Sequence, residues 1–342
     1  MTEFATIPMQ WVGPIAIKGQ ELSADISVPL ATYETPLWPS VNRGARISQH
    51  CGGIHTLITD ERMSRSIAVE ATSAALAQTA IQSILQRQSE LDAVVSKTSR
   101  FAKLINIHPK QIGKIIYLRL EYTTGDASGH NMTTLASEHI QRWVLAQFPE
   151  LKYVAVSGNM CTDKKVSSIN NTCGRGKSVI AEITVSQKKC KRFLKVTPNQ
   201  IVELNIKKNL LGSIAAGSLH SANAHYANML LAFYLATGQD AANIVEGSQG
   251  ITHAELTDNG DLYFSVNLPN IIVGSIGNGK DLAFVKNNLE KMGLNEQQAP
   301  GINARKLAII TAATVLCGEL SLMGAIANPG ELIDSHLAIE RQ

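Results

Sequence analysis

The sequence predicts a mixed α/β fold of the α+β type, and three observations support this prediction. Short runs in which apolar and polar residues alternate, such as KIIYLRLEYTT at 114–124, are typical of strands. Longer Ala- and Leu-rich stretches, such as residues 67–88 and 303–327, carry apolar residues at helical spacing. With 342 residues, 44% of them hydrophobic and 17% charged, the chain is long enough for a large core and two domains.

The N-terminal third mixes turn signals with apolar runs. Residues 11–29 alternate short apolar runs with Gly and Pro, which predicts edge strands and turns. Residues 28–48 are rich in Pro and Thr, and we expect a loop there rather than a helix. Residues 67–88 predict a helix, and KTSRFAKL at 97–104 predicts a loop. The run at 114–124 then predicts a half-buried strand, with its charged residues on the outer face.

GDASGHN at 125–131 is a predicted turn between that strand and a helix with an apolar stripe. The backbone N–H groups at the start of a helix can receive a phosphate. The glycine spacing differs from G-x-G-x-x-G, so the sequence lacks the Rossmann fingerprint. A plain strand-to-helix connection is the alternative interpretation.

The stretch SGNMCTDKKVSSINNTCGRGK, which we name the 157–177 segment, places Asp163 beside Lys164 and Lys165. β-rich runs flank it at 152–157 and 178–186. A loop held between buried strands is where a scaffold presents functional groups. An ordinary solvated turn is the alternative.

The C-terminal half contains two further predicted helices, at 198–209 and 221–236. His225 and Asn228 fall three apart on the second helix and share a face, although a lone helical His is more often packed or solvated. Asp240 follows the end of that helix, where carboxylates are usually solvated.

Strand and turn signals follow. Residues 250–269 alternate on both sides of Asp-Asn-Gly at 258–260, which predicts a hairpin. GSIGNGKD at 274–281 is a second glycine-rich turn before a helix, and a helix is predicted from 303 to about 327.

Composition excludes several classes of protein. A net charge of +3 gives no basis for nucleic-acid binding. Five cysteines without C-x-x-C pairing predict reduced thiols in a cytoplasmic protein and no metal site. The start lacks the pattern of a signal peptide, and the apolar stretch 307–318 is too short to span a bilayer, so we expect no membrane association.

Eleven motifs taken in order resemble the catalytic domain of the 3-hydroxy-3-methylglutaryl-coenzyme A (HMG-CoA) reductase family, from about residue 13 to residue 336. They are VPLATYE, NRGAR, TSRFAKL, GDASGHN, SGNMCTDKK, INNTCGRGKS, KKNLLGS, NAHYAN, GQDAAN, GELSLMGAIA and the terminal SH. The Asp-Lys-Lys form with the following SSIN and GRGKS resembles the eukaryotic-type class of that family.

The resemblance implies a large domain around a long central helix, formed by residues 1–66 and 156–342. A small ferredoxin-like dinucleotide-binding domain, residues 67–155, is inserted into it. The implied assembly is a homodimer, or a dimer of dimers, with active sites shared between subunits.

The implied reaction is the reduction of HMG-CoA to mevalonate and free CoA by two hydride transfers from NADPH, in preference to NADH. An ammonium beside the carbonyl stabilises the negative charge that hydride addition creates, and the matching residue is Lys164. The matching proton donor is Glu34, and Asp240 lies between the two and tunes their proton affinities. His336 matches the histidine that protonates the departing CoA thiolate on a mobile tail.

The binding residues carry over by motif position. For the HMG group they are Arg65, Ser157, Asp163, Lys165, Lys208 and Asn228. For CoA, whose phosphates suit basic side chains, they are Ser40, Asn42, Arg43, Arg46, Lys195 and His225. For the dinucleotide they are Ser99, Arg100, Phe101, Asp126, Gly129, Asn131, Ile276 and Gly277. Arg100 is the candidate for the adenosine 2′-phosphate.

The chain departs from the family pattern at a few positions. Thr35 and Pro36 follow the catalytic Glu where Gly is usual, so the loop should be stiffer. His130 replaces a usual Met in the first glycine turn, and Asn278 and Lys280 replace Gly and Thr in the second. The prediction of cofactor preference therefore depends on fewer matching residues than the prediction of the reaction type.

Two alternative functions are compatible with the resemblance. A family member could oxidise mevalonate with NAD in the reverse direction, and a divergent paralogue could bind CoA thioesters without turnover. The four predicted catalytic positions are all retained, which favours catalysis because a paralogue without activity normally loses such residues independently.

Overall fold

The computed structural model describes residues 3, 5–218 and 220–340, and in this part of the chain nine strands form one sheet. The strands are β1 (Met9–Gly19), β2 (Ala24–Ala31), β3 (Ile54–Glu70), β4 (Leu104–Ile112), β5 (Ile115–Tyr122), β6 (Lys152–Val156), β7 (Gly176–Val185), β8 (Ile251–Leu256) and β9 (Leu262–Ile271). The main path of the sheet is β2-β1-β3-β7-β9-β8, while β5 and β6 pair with β3, and β4 pairs with β5.

Helices cover the sheet. They are α1 (Leu37–His50), α2 (Ala74–Leu85), α3 (Gln88–Ser96), α4 (His130–Gln147), α5 (Ser168–Cys173), α6 (Gln187–Leu194), α7 (Pro198–Leu204), α8 (Ser213–Ala215), α9 (Tyr226–Ala236), α10 (Ile244–Gly247), α11 (Ala283–Lys291), α12 (Ile302–Ala327) and α13 (Glu331–Glu340). A π-helical stretch, Asn205–Gly212, joins α7 to α8, and a 3-10 turn, Ala241–Asn243, precedes α10.

The buried apolar side chains form two clusters, one on each half of β3. The larger cluster surrounds α12 and takes side chains from β1, β2, β7 and β9. The smaller cluster lies between the second half of β3, β5 and the helices α2 and α4. The two halves of β3 have different neighbours: the first pairs with β1 and β7, the second with β5 and β6. One long strand therefore connects the two cores.

Helix α12 is the central element of the larger core, and the predicted helix from 303 to about 327 is confirmed. By length and composition alone it could cross a membrane, but 89% of its apolar window is buried inside the fold. Its apolar surface contacts other parts of this chain, which is what a core helix requires.

Several sequence predictions were wrong. Residues 28–48 are not a loop: α1 begins after Pro36, and Pro39 lies in its first turn, where a missing N–H costs nothing. The predicted helix at 67–88 begins only at Ala74, because residues 67–70 complete β3. β1 is an interior strand rather than an edge.

Other corrections concern the middle of the chain. The predicted loop at 97–104 leads directly into β4, which the sequence reasoning missed. The helix predicted from 221 begins only at Tyr226, after a turn that contains His225. On β5, Arg119 and Glu121 are completely buried instead of facing solvent, because Arg119 bonds to Glu121 and to the 157–177 segment. The predicted hairpin at 258–260 and the helix after GDASGHN are confirmed.

Close contact between α1 and α12 depends on Gly44. A Cβ added there would lie 2.2 Å from the carbonyl oxygen of Cys317, which belongs to backbone that cannot move aside. We expect Gly44→Ala to lower the free energy of unfolding by about 2–3 kcal/mol because the helices must separate. Gly212→Ala is the control, since the nearest atom lies 3.6 Å from the added Cβ. Denaturant unfolding that finds Gly44→Ala as stable as the control would contradict this packing.

Candidate active site

Lys164 and Asp240 form an ion pair, with 2.6 Å between Nζ and Oδ2. Lys164 has a φ of 54°, a left-handed conformation that is uncommon for a residue with a side chain. Its backbone N–H donates to Glu246 Oε1 over 3.0 Å, and Asp240 Oδ1 accepts from the N–H of Ala242. The two side chains are 39% and 45% exposed, so an anchored ammonium reaches open space.

The pair is fully ionised near neutral pH. The hydrogen bond that Lys164 donates to Asp240 raises the pKa of Lys164 above its usual range. Burial acts to raise the pKa of Asp240, but the bonds and charge from Lys164 and the Ala242 N–H outweigh it and lower that pKa. An ammonium that stays charged at every physiological pH can stabilise negative charge on a substrate oxygen.

Asp163 is held by three basic groups. Arg175 lies 2.7 Å from its Oδ1, Arg65 3.5 Å from its Oδ2, and His130 Nε2 3.6 Å from its Oδ1. Burial acts to raise the pKa of Asp163, but these groups together hold it well below its usual range. Asp163 is therefore a permanent anion whose position is set by its neighbours.

Two completely buried arginines, Arg175 and Arg119, fix the 157–177 segment. Arg175 bonds to Ser64 of β3 and lies 3.5 Å from Glu246, in addition to its contact with Asp163. Arg119 donates to the carbonyls of Met160 and Gly174. Sequence reasoning missed both roles, although Arg175 lies inside the GRGKS motif.

A cavity of about 520 Å³ lies beside the ion pair. Its walls come from the 157–177 segment, the start of α4, the glycine turn at 274–281 and the turn before α10. Eight residues predicted to bind substrate or cofactor, or to act in catalysis, line it together: Arg65, Gly129, Asn131, Asp163, Lys164, Asp240, Ile276 and Gly277. We name it the lysine cavity.

A second cavity, of about 270 Å³, is lined by Glu34, the predicted proton donor. We name it the glutamate cavity. Glu34 Oε2 accepts a hydrogen bond from Asn228 Nδ2 over 2.9 Å there. Ser40, Arg43 and His225, all predicted to bind CoA, also line it. Within one chain, Glu34 and Lys164 thus line different cavities.

The tail helix α13 lies against the glutamate cavity. Arg43 is ion-paired with Glu331 and donates to the Oγ of Ser321, so a phosphate that binds Arg43 competes with Glu331. His336 belongs to α13, but its side chain lies outside the described residues.

The remaining predicted residues lie outside both cavities or have structural partners. Asp126 accepts from the N–H groups of Gly301 and Ala304 and so caps α12. Asn42 accepts from the N–H of Gly13, and Ser99 from that of Phe101. Those with exposed or partly exposed side chains on the surface of the fold are Arg46, Arg100, Phe101, Ser157, Lys165, Lys195 and Lys208.

One cluster has the residue types of a metal site. Ligand atoms of His108, Glu121 and Cys173 lie within 4.8 Å of one another. Both oxygens of Glu121 are already engaged, one by Arg62 at 2.7 Å and the other by Arg119 at 3.0 Å. Two guanidinium charges beside the carboxylate repel a cation, so we assign no metal here.

Comparison with known proteins identifies the family. The family model for hydroxymethylglutaryl-coenzyme A reductase matches residues 2–341. The chain belongs to the HMG-CoA reductase family. The reductase of Pyrococcus horikoshii is 44% identical over 94% of this chain and 78% of that protein. The reductase of Camptotheca acuminata is 41% identical over 99% of this chain and 57% of that protein.

Solved structures share the fold. A class II HMG-CoA reductase from Streptococcus pneumoniae, bound to NADPH in open conformations, matches with a TM-score of 0.76 at 18% identity, over 96% of this chain and 86% of that one. The predicted family, the enzyme assignment and the mixed α/β fold class are confirmed. The eukaryotic-type class, the domain boundaries and the roles of individual residues stay predictions.

The environment of Asp163 predicts a stability profile. Because its pKa lies below the ordinary value of about 3.8, the unfolded chain takes up a proton at higher pH than the folded chain does. The contribution of Asp163 is therefore complete above about pH 4 and is lost as the pH falls further. We expect Asp163→Asn to flatten the pH dependence of the free energy of unfolding below pH 4, measured by denaturant titration.

Asp258→Asn in the exposed hairpin turn is the control, and it should leave the profile as steep as in the wild type. An unchanged slope in Asp163→Asn would show that the three basic groups do not stabilise the ionised form.

Proposed function

We propose that the protein reduces HMG-CoA to mevalonate and free CoA with two equivalents of NADPH. The observation that carries this proposal is the Lys164–Asp240 pair at the edge of a cavity bounded by two glycine turns. We place the protein in the cytoplasm, in keeping with its five unpaired cysteines.

We assign the chain to the eukaryotic-type class. Archaeal relatives from Pyrococcus and plant relatives such as the Camptotheca reductase are 41–44% identical to it, whereas the class II structure from Streptococcus is only 18% identical. The Asp163-Lys164-Lys165 form supports the same assignment. We also propose that residues 67–155 form an inserted domain, and the smaller buried cluster, which draws on residues 67–151, supports these bounds.

The lysine cavity suits a nicotinamide dinucleotide. Gly129 and Gly277 have φ values of 94° and 100°, which favour glycine, and a Cβ added to Gly277 would meet nothing within 4 Å. The first residues of α4 line the same space, and the backbone N–H groups at the start of a helix suit a phosphate. The bound dinucleotide would supply the hydride, and the Streptococcus relative is a precedent for NADPH.

Lys164 and Asp240 act on the carbonyl end of the substrate. Lys164 Nζ donates to the oxygen on which charge develops, first in the thioester and then in the aldehyde. Asp240 keeps the ammonium oriented and charged. Arg65 and Lys165 are left to bind the carboxylate and hydroxyl of the HMG group.

Glu34, oriented by Asn228, donates the proton to the aldehyde oxygen. Because Glu34 and Lys164 line different cavities of one chain, we infer that a second subunit brings them together. CoA then occupies the glutamate cavity, where its phosphate displaces Glu331 from Arg43 and releases α13. His336 on that helix protonates the thiolate.

A direct assay tests the reaction. Purified protein should consume NADPH on addition of HMG-CoA and release free thiol, with slower turnover when NADH is supplied. Oxidation of mevalonate with NAD as the only detectable activity would favour the reverse reaction. Binding of HMG-CoA without consumption of either cofactor would favour the inactive paralogue.

Subunit mixing tests the shared site. Glu34→Gln and Lys164→Met should each lower kcat at least about 100-fold. Co-expressed and purified without separation of the dimers, they should regain about a quarter of wild-type activity, because about half of the dimers are heterodimers and one of the two sites in each heterodimer carries neither change. Two changes in the same chain are the control and should give no recovery. Absence of recovery from the mixture would mean that each site is built from one chain.

A further inference from the structure

Lys280 is a buried lysine to which neither the family pattern nor the proposed mechanism gives a role. It is 8% exposed and lies at the end of the glycine turn at 274–281. The residue lines the lysine cavity and also a neighbouring cavity of about 570 Å³ bounded by α11. Its side chain therefore forms part of the wall between two open spaces.

The ammonium has no counterion among the described residues. Its Nζ donates to the carbonyl of Gly238, and no carboxylate of that part of the chain lies within 4.0 Å of it. Two carboxylates that line these cavities are engaged elsewhere: Asp240 with Lys164, and Asp281 with Lys286 at 3.3 Å. Burial lowers the pKa of Lys280 to about 8, so the group is still mainly protonated at pH 7.

A buried charge without a partner is costly, and a lysine ammonium has three donors, of which one is used here. An anion that enters the cavity would satisfy the other two. We propose, on the basis of the function proposed above, that Lys280 binds the pyrophosphate of the nicotinamide dinucleotide.

The position of Lys280 favours the pyrophosphate over the adenosine 2′-phosphate. Lys280 shares the lysine cavity with the Lys164–Asp240 pair, where the nicotinamide must react. The pyrophosphate follows the nicotinamide riboside directly, whereas the 2′-phosphate is at the far end of the molecule. The glycine turn beside Lys280 brings backbone N–H groups to the same region.

The turn that contains Lys280 is in close contact with the turn that precedes Asp240. A Cβ added to Gly238 would lie 2.5 Å from the carbonyl oxygen of Gly279, and a Cβ on Gly279 would lie 2.6 Å from that of Gly238. The turn that contains Lys280 therefore packs directly, backbone on backbone, against the turn that leads to Asp240. A dinucleotide held by Lys280 has its position fixed relative to the reacting pair.

Direct binding tests the proposal without requiring turnover. We expect Lys280→Gln, whose amide can still donate to Gly238, to raise the Kd of both NADP⁺ and NAD⁺ about tenfold by calorimetric titration. Lys280→Arg keeps the charge and should stay within about threefold of the wild type. Lys280→Thr introduces the residue that is usual in the family, so the variant should fold. It should lose affinity for both dinucleotides as Lys280→Gln does.

The matched control is Lys286→Gln, because Lys286 is 63% exposed and its ammonium is paired with the surface carboxylate of Asp281. It should leave both Kd values within about twofold. Unchanged Kd values in Lys280→Gln and Lys280→Thr would overturn the proposal, and so would a loss confined to NADP⁺, which would place the 2′-phosphate at Lys280. Failure of the wild type to reduce HMG-CoA would instead reject the proposed function, since binding is read separately.

Discussion

The contact between Arg175 and Asp163 is the constraint on which the rest of the site depends. Arg175 is completely buried, and it holds Asp163 at 2.7 Å while lying 3.5 Å from Glu246. Glu246 in turn accepts the backbone N–H of Lys164. Asp163 and Lys164 are adjacent in the chain. Holding the carboxylate of Asp163 and the backbone N–H of Lys164 therefore fixes the left-handed backbone of Lys164, which directs its side chain to Asp240. An unpaired buried arginine would be far more costly than the loss of a surface pair, so the segment keeps this geometry.

The location of the site follows from the two cores. β3 passes from one cluster to the other, and Arg65 lies on it where its partners change from β7 to β5. The 157–177 segment leaves β6 in the smaller core and enters β7 in the larger one. Charged side chains that meet at this boundary are held by both cores but remain open to ligands. Glu34, between β2 and α1, lines a separate cavity.

Local signals allowed part of this structure to be predicted from sequence. The hairpin at 258–260, the long helix α12 and the loop between β6 and β7 all have turn residues or periodicity within a short window. Helix α1 was missed because Pro36 and Pro39 suggest a loop unless the first turn is recognised. The burial of Arg119 could not be predicted from alternation, because its partners at Met160 and Gly174 are distant in the chain. The family motifs predicted eight of the residues that line the lysine cavity, but they did not predict the contacts that fix these residues in position.

Two departures from the family pattern place extra basic groups in one cavity. His130 stands where Met is usual and Lys280 where Thr is usual, and both line the lysine cavity. The Nε2 of His130 is buried without a hydrogen-bond partner among the described residues, near both Asp163 and Asp240. The ammonium of Lys280 adds a positive charge to this cavity, so a dinucleotide that brings its own negative phosphates meets less repulsion on entry. Asp163 and Asp240 belong to the proposed site, and basic residues that line the same cavity make their presence compatible with an anionic cofactor.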